Sequence, residues 1–223
     1  MKDMKFKAIL FDLDGTLVDS ELFHFECWNE ILKESEVRLT YSDWLNAYAG
    51  IPLAQNASTL IKKYALNTTL DELIRRREIL SIQRMMDTEV PLMYYTKEIL
   101  DYFSQMPLTM ALVTGSNKDE VNTLFKKNGL NKYFEIIVTN NDVKQPKPNP
   151  ECYNLCRTQL GLEKKDCLVF EDTVNGLKAA KAAQLTCIAI QRHEQQHASL
   201  HQADRIFLNF EQAKDYLLSQ GLV

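Results

Sequence analysis

The stretch Phe11-Asp12-Leu13-Asp14-Gly15-Thr16-Leu17-Val18-Asp19-Ser20 runs on from a four-residue apolar segment, Ala8 to Phe11, of strand length. In an extended backbone, residues two apart point the same way, so Asp12 and Asp14 project together from the carboxyl end of that strand. Gly15 lets the chain turn sharply as it leaves. Two carboxylates forced together repel unless a cation sits between them or one keeps a proton, and either arrangement is chemically useful. Read alone, the same letters also describe a solvated Asp-Gly turn.

Working outward, runs rich in Ile, Val and Leu recur at Met110 to Thr114, Ile136 to Thr139, Cys167 to Phe170, Cys187 to Ile190 and, more weakly, Ile206 to Leu208. Helical periodicity occupies Asp119 to Asn128, Pro150 to Leu160 and Val174 to Ala183 between them, and Glu211 to Ser219 closes the chain as a helix. Apolar strands alternating with helices predict an α/β fold: a Rossmann-like, doubly wound parallel sheet covered on both faces. Roughly 100 residues separate the first two strands, more than one crossover helix can fill. From Glu21 to Met86 the pattern is helical throughout, so an inserted α-helical domain is expected over residues 18–91, in a core made of residues 1–17 and 92–223.

Composition narrows the class. The 223 residues carry 26 Lys+Arg against 30 Asp+Glu, a formal net charge of -4, which lacks the basic field that draws proteins to phosphate backbones. No nucleic-acid partner is expected. No apolar stretch approaches ~20 residues and the N-terminal one is too short for a signal peptide, so no membrane span and a cytoplasmic location are expected. The five cysteines, Cys27, Cys152, Cys156, Cys167 and Cys187, form an odd set with no CxxC pair, as suits buried free thiols in a reducing compartment.

Three further constellations end later strands. Thr114-Gly115-Ser116-Asn117 sets two hydroxyls beside a glycine at the start of a helix, an arrangement that binds anions or simply caps the helix. Lys144-Gln145-Pro146-Lys147-Pro148-Asn149-Pro150 holds Lys147 between prolines, which pre-position a cation or merely rigidify an exposed loop. Phe170-Glu171-Asp172-Thr173 brings a second acidic pair to the edge that carries Asp12 and Asp14, supplying the oxygen ligands Mg²⁺ demands, or else a helix cap. Each has a bland reading alone. Four at successive strand ends are harder to explain separately.

In this order, DLDGTLVDS, VTGS, the Lys of KPNP and FEDTVNG resemble the four motifs of the haloacid dehalogenase (HAD)-like hydrolase superfamily, and the helical insertion resembles the cap of its β-phosphoglucomutase and phosphoglycolate-phosphatase-like branch. The resemblance implies that Asp12 attacks phosphorus to give an aspartyl-phosphate and that Asp14 serves as acid and then base. It implies a Mg²⁺ cofactor held by Asp12, the Asp14 main-chain carbonyl, Glu171 and Asp172, with Thr114, Gly115, Ser116 and Lys147 around the phosphoryl group. The implied activity is hydrolysis of a small phosphorylated metabolite, a sugar or polyol phosphate, by a monomer or weak homodimer.

The alternative within the branch is a phosphohexomutase, whose cap carries basic residues around a glycine. The corresponding segment Tyr48 to Gln55, around Gly50, contains no Lys or Arg. His24 matches a cap-hinge histidine of the mutase but recurs in resembling phosphatases. Arg75, Arg76 and Arg77 point in three directions on one helix, so Arg77 is a substrate candidate while at least two of the three are expected on a solvated face. Outside the resemblance, His193-Glu194-Gln195-Gln196-His197 satisfies HExxH and His201 continues the four-residue spacing, so three imidazoles on one helical face offer a rival zinc site. A non-catalytic binding module is the remaining alternative. Pro146, Gln184 and Tyr94-Tyr95 stand where resembling proteins commonly have other residues, glycine among them, yet no reacting group is lost.

Overall fold

The computed structural model describes residues 5–223. Six strands, β1 (Ala8–Phe11), β2 (Thr109–Val113), β3 (Ile136–Val138), β4 (Cys167–Glu171), β5 (Thr186–Ile190) and β6 (Arg205–Phe207), form one parallel sheet in the order β3-β2-β1-β4-β5-β6. The expected doubly wound α/β core is what forms, with strand ends displaced by about a residue, as hydrogen-bond boundaries usually are. From β1 the chain winds outward through β2 to β3, then crosses back to β4 and winds the other way. The reversal lies beside β1, where open sheets leave a crevice at their carboxyl ends.

Side-chain alternation on β1 divides the core. Ile9 and Phe11 pack with α5 (Thr96–Ser104), α6 (Lys118–Asn128) and α9 (Phe210–Ser219), while Ala8 and Leu10 pack with α7 (Glu151–Gln159) and α8 (Val174–Ala182). Phe11 is surrounded by the rings of Phe103, Phe134, Phe170 and Phe210 at centroid distances of 5.4 to 6.4 Å. Burying one such ring contributes about 1.5–3 kcal/mol. Sequence periodicity did not reveal α5, whose apolar stripe is only Ile99, Leu100 and Phe103. All five cysteines are free and buried.

Between β1 and α5 lie α1 (Glu21–Leu32), α2 (Tyr41–Ala47), α3 (Leu53–Tyr64) and α4 (Leu70–Asp87), packed on their own apolar cluster of Trp28, Leu32, Trp44, Tyr48, Leu60 and Leu73. The chain enters and leaves this helical block side by side: Val18 bridges Leu92, and Asp19 N donates to Pro91 O at 2.8 Å. The block also docks on α6. Lys127 Nζ donates to the carbonyls of Met85, Met86 and Thr88 at 2.7, 2.9 and 3.1 Å, satisfying the open C-terminus of α4. No helix among the described residues is long and apolar enough to cross a membrane.

Candidate active site

Parallel register brings the first and fourth constellations level. Phe11 pairs with Leu112 on one side and Phe170 on the other, so Asp12 follows beside Val113 and Glu171. Asp12 N donates to Phe170 O at 3.0 Å. Lys147 reaches the same point from the loop after β3: its Nζ donates to Asp12 Oδ1 at 2.6 Å, Glu171 Oε1 at 2.5 Å and Val113 O at 2.9 Å. Burial opposes charge on this lysine, but Asp12 and Glu171 outweigh it and hold the ammonium more firmly protonated than usual.

Asp12, Glu171 and Asp172 offer carboxylate oxygens all within 4.8 Å of one another, the one such group of potential ligands among the described residues. Burial first, and then the neighbouring carboxylates, push Asp12 and Asp172 well above the ordinary Asp range. Three acids share one ammonium, so the cluster has unmet negative charge and an all-oxygen donor set, which fits a hard divalent cation. Gly15 makes room for the Asp172 carboxylate: at φ +77°, a Cβ there would lie 2.1 Å from Asp172 Oδ2. Thr16 Oγ1 steadies Asp172 by donating to Oδ1 at 3.1 Å.

Asp14 belongs to a different set. Its carboxylate accepts from Ser20 Oγ at 2.6 Å, His24 Nε2 at 3.1 Å and Ser116 Oγ at 2.5 Å, and it stands apart from the three-acid group. Burial works to raise its pKa, but the imidazole and the two hydroxyls prevail and draw it down to about 2. Ser116 is itself placed by β2, since its backbone N–H donates to Thr114 Oγ1 at 3.0 Å, and Gly115 leaves open space beside it. His24 is fixed from behind: Arg77 Nη2 stands 2.7 Å from Nδ1. A guanidinium only donates, so Nδ1 accepts and the Nε2 proton faces Asp14. Asp14 raises the ring's affinity for a further proton against the cost of burial, and the Arg77 charge works against it.

Several site residues escaped the sequence reading. Tyr153 OH donates to Glu171 Oε1 at 2.7 Å, with Lys147 Nζ 5.0 Å from the centre of its ring. The only signal was an aromatic residue six positions after Lys147. Ser20 lay inside the quoted first motif without a role. Glu120 and Ser81, which hydrogen-bond to each other, and Asn175, whose Nδ2 donates to Gly50 O at 3.1 Å, join the helical block to the core across long sequence separations.

Of the arginine run, Arg77 is buried on His24, Arg76 pairs with Glu34 and Arg75 is exposed, as three divergent directions require. The rival arrangement of three imidazoles on one helical face does not form. Residues Glu194–Leu200 form a 3-10 helix, where residues four apart no longer align. His197 Nε2 lies 2.7 Å from Gln191 O, His201 Nδ1 lies 3.2 Å from Ala198 O, and His193 accepts from Arg192. The three rings are not gathered.

A cavity of about 210 Å³ lies over Asp12, Asp14, Ser116 and Lys147, roofed by Trp28, Trp44 and Arg77. A larger cleft of about 540 Å³, beyond the contact of Gly50 with Thr173, touches Asp172 but neither Asp14 nor Lys147. Asp12, Asp14, Ser116 and Lys147 all line the smaller cavity.

This is a doubly wound α/β protein with an acidic cluster and a buried lysine at the strand ends, beneath an inserted helical block. The chain belongs to the haloacid dehalogenase-like hydrolase family, whose model matches residues 9–190. It is 33% identical to YhcW of Bacillus subtilis strain 168 over 187 residues, covering 82% of this chain and 83% of that one. It is 27% identical over 186 residues to the fructose-1-phosphate phosphatase YqaB of Escherichia coli K12, covering 83% and 97%. Among solved structures, CbbY from Rhodobacter sphaeroides in complex with phosphate superimposes with a TM-score of 0.83 at 22% identity, over 92% of this chain and 95% of that one.

Proposed function

We propose that this chain is a Mg²⁺-dependent phosphatase that hydrolyses a small phosphorylated metabolite, a sugar or polyol phosphate, through an aspartyl-phosphate on Asp12. The observation that carries the reading is the opposite treatment of two aspartates two residues apart. Asp12 is shared between an ammonium and a cation-ready acidic group, while Asp14 is held by hydroxyls and an imidazole. Relatives named as phosphatases support the reaction class, fructose-1-phosphate phosphatase among them.

Asp12, Asp172 and Glu171 would hold the metal, together with the Asp14 main-chain carbonyl. Bound there, Mg²⁺ supplies positive charge that lets anionic phosphate approach an anionic nucleophile. Lys147 neutralises phosphoryl oxygens from the other side, and Thr114, Gly115 and Ser116 line their seat. Asp12 attacks phosphorus as Asp14 gives a proton to the departing alcohol. Asp14 then takes a proton from the water that hydrolyses the phosphorylated Asp12, so the proton count closes over one turnover. Ionised in the free protein, Asp14 takes up the proton it donates as the substrate's negative charge arrives, and releases the one gained from water when the products leave. The helical block, residues 18–91, acts as a cap that excludes bulk water and selects the alcohol. The absence of Lys and Arg around Gly50 favours hydrolysis over phosphohexose transfer. With its free buried thiols the protein suits the cytoplasm.

The test is Asp12→Asn. Turnover of an aryl phosphate is expected to vanish while the far-UV spectrum and melting temperature stay near those of the wild type, and EDTA is expected to stop the wild type until Mg²⁺ is restored. Equal activity in the variant would remove Asp12 as nucleophile.

A further inference from the structure

The far wall of the small cavity has a charge inventory of its own. Two permanent cations, Lys147 and Arg77, and the imidazole of His24 line the cavity, and all three are already engaged. Lys147 lies between Asp12 and Glu171. Arg77, 3% exposed, is spent on His24 and on Glu120, whose Oε1 lies 3.8 Å from Nη1. Glu78, one residue further along α4, is half-buried on the same wall and has no Lys, Arg or His nitrogen within 4.0 Å among the described residues. The loop from Tyr48 to Gln55 adds no basic residue. A second phosphate or a carboxylate on the substrate would therefore meet Glu78 with no free counter-charge, in a partly desolvated cavity where like charges repel strongly.

The same wall suits hydroxyls. The Glu78 carboxylate, half-buried and lining the cavity, is an acceptor to which a substrate hydroxyl can donate. A hydroxyl can donate to this carboxylate where a second anion is repelled by it, so a polyhydroxy chain or ring suits the wall. We propose that the alcohol half of the substrate is uncharged and hydroxyl-bearing, and that Glu78 is the specificity residue that excludes a second anionic group. The inference rests on the phosphatase reading above and narrows its substrate class.

Matched pairs test it: fructose 1-phosphate against fructose 1,6-bisphosphate, and 2-hydroxyethyl phosphate against phosphoglycolate, each scored by released phosphate. The neutral member of each pair is expected to lead in kcat/KM by about tenfold or more, chiefly through KM. Glu78→Gln narrows that ratio several-fold and Glu78→Lys narrows it further. Both replacements are good helix formers on a partly exposed face, and thermal melting checks that they fold. Equal or better turnover of the anionic members by the wild type would overturn the proposal, as would unchanged ratios in both variants. Failure of the wild type to release phosphate from any of these compounds or from an aryl phosphate would instead sink the phosphatase reading itself.

Discussion

Asp12 and Asp14 share a backbone direction and almost nothing else. The first is buried among acids, and burial and then their charge push its pKa up; the second accepts three hydrogen bonds that outweigh burial and pull it down to about 2. Roles divided in this way make a specific expectation for Asp14→Asn. An alkyl phosphate, whose leaving oxygen needs a proton, is expected to lose about 10²–10⁴ in kcat, whereas an aryl phosphate, whose phenolate departs unaided, loses far less in the first step. Parallel rates of phosphoenzyme formation across a leaving-group series, with equal losses throughout, would deny Asp14 the acid role. Both aspartates were legible because period-two alternation after a buried strand is local. Their separate environments were not, since Ser116, His24 and Arg77 arrive from distant elements. Backbone strain was hidden in the same way: Tyr95 and Gln184, standing where resembling proteins commonly have other residues, adopt φ +66° and +62° without being glycine.

At the scale of elements, the strands were readable because each is a buried apolar run between turn signals. Both β1 and β4 are buried throughout, a pattern that a parallel sheet imposes. The segment after β5 was less readable, because HExxH spacing assumes a 3.6-residue period that the backbone of Glu194–Leu200 does not follow. What holds that edge of the sheet is Asp204, just before β6. Its Oδ2 accepts from Cys187 N at 2.7 Å and Lys181 Nζ at 2.8 Å, and its own N–H donates to Cys187 O at 2.9 Å. Burial acts to raise this carboxyl, but those donors prevail and lower it below its ordinary 3.8. A lowered acid contributes stability above its unfolded pKa and loses it as pH falls through the folded value. Asp204→Asn is therefore expected to cost about 1 kcal/mol at pH 7, a figure kept small by solvent around a partly exposed pair. In urea melts the gap from wild type should hold at pH 6 and shrink below about pH 4. A gap that widens in acid would contradict the assignment.

Across the whole molecule, the insertion was visible as an overlong gap between strands, but not how it meets the core. Helical periodicity reports which face of a helix is apolar, and is silent on which distant surface its ends touch. The meeting point at the strand ends is Gly50, in left-handed backbone at φ +66°, where an added Cβ would lie 2.7 Å from Thr173 Cγ2. Asn175 donates to its carbonyl from the first turn of α8, the helix that follows the Glu171–Asp172 pair. Gly50→Ala thus strains the backbone by about 1–2 kcal/mol and wedges the cap loop away from α8 at the same time. If closure of that seam excludes water from the small cavity, kcat/KM for a small sugar phosphate should fall at least about tenfold. Adding Thr173→Ser removes the obstructing methyl while keeping the hydroxyl that caps α8, so the double variant should recover part of the activity but not the stability lost to the left-handed alanine. Wild-type kcat/KM in Gly50→Ala would show that the contact is incidental to turnover.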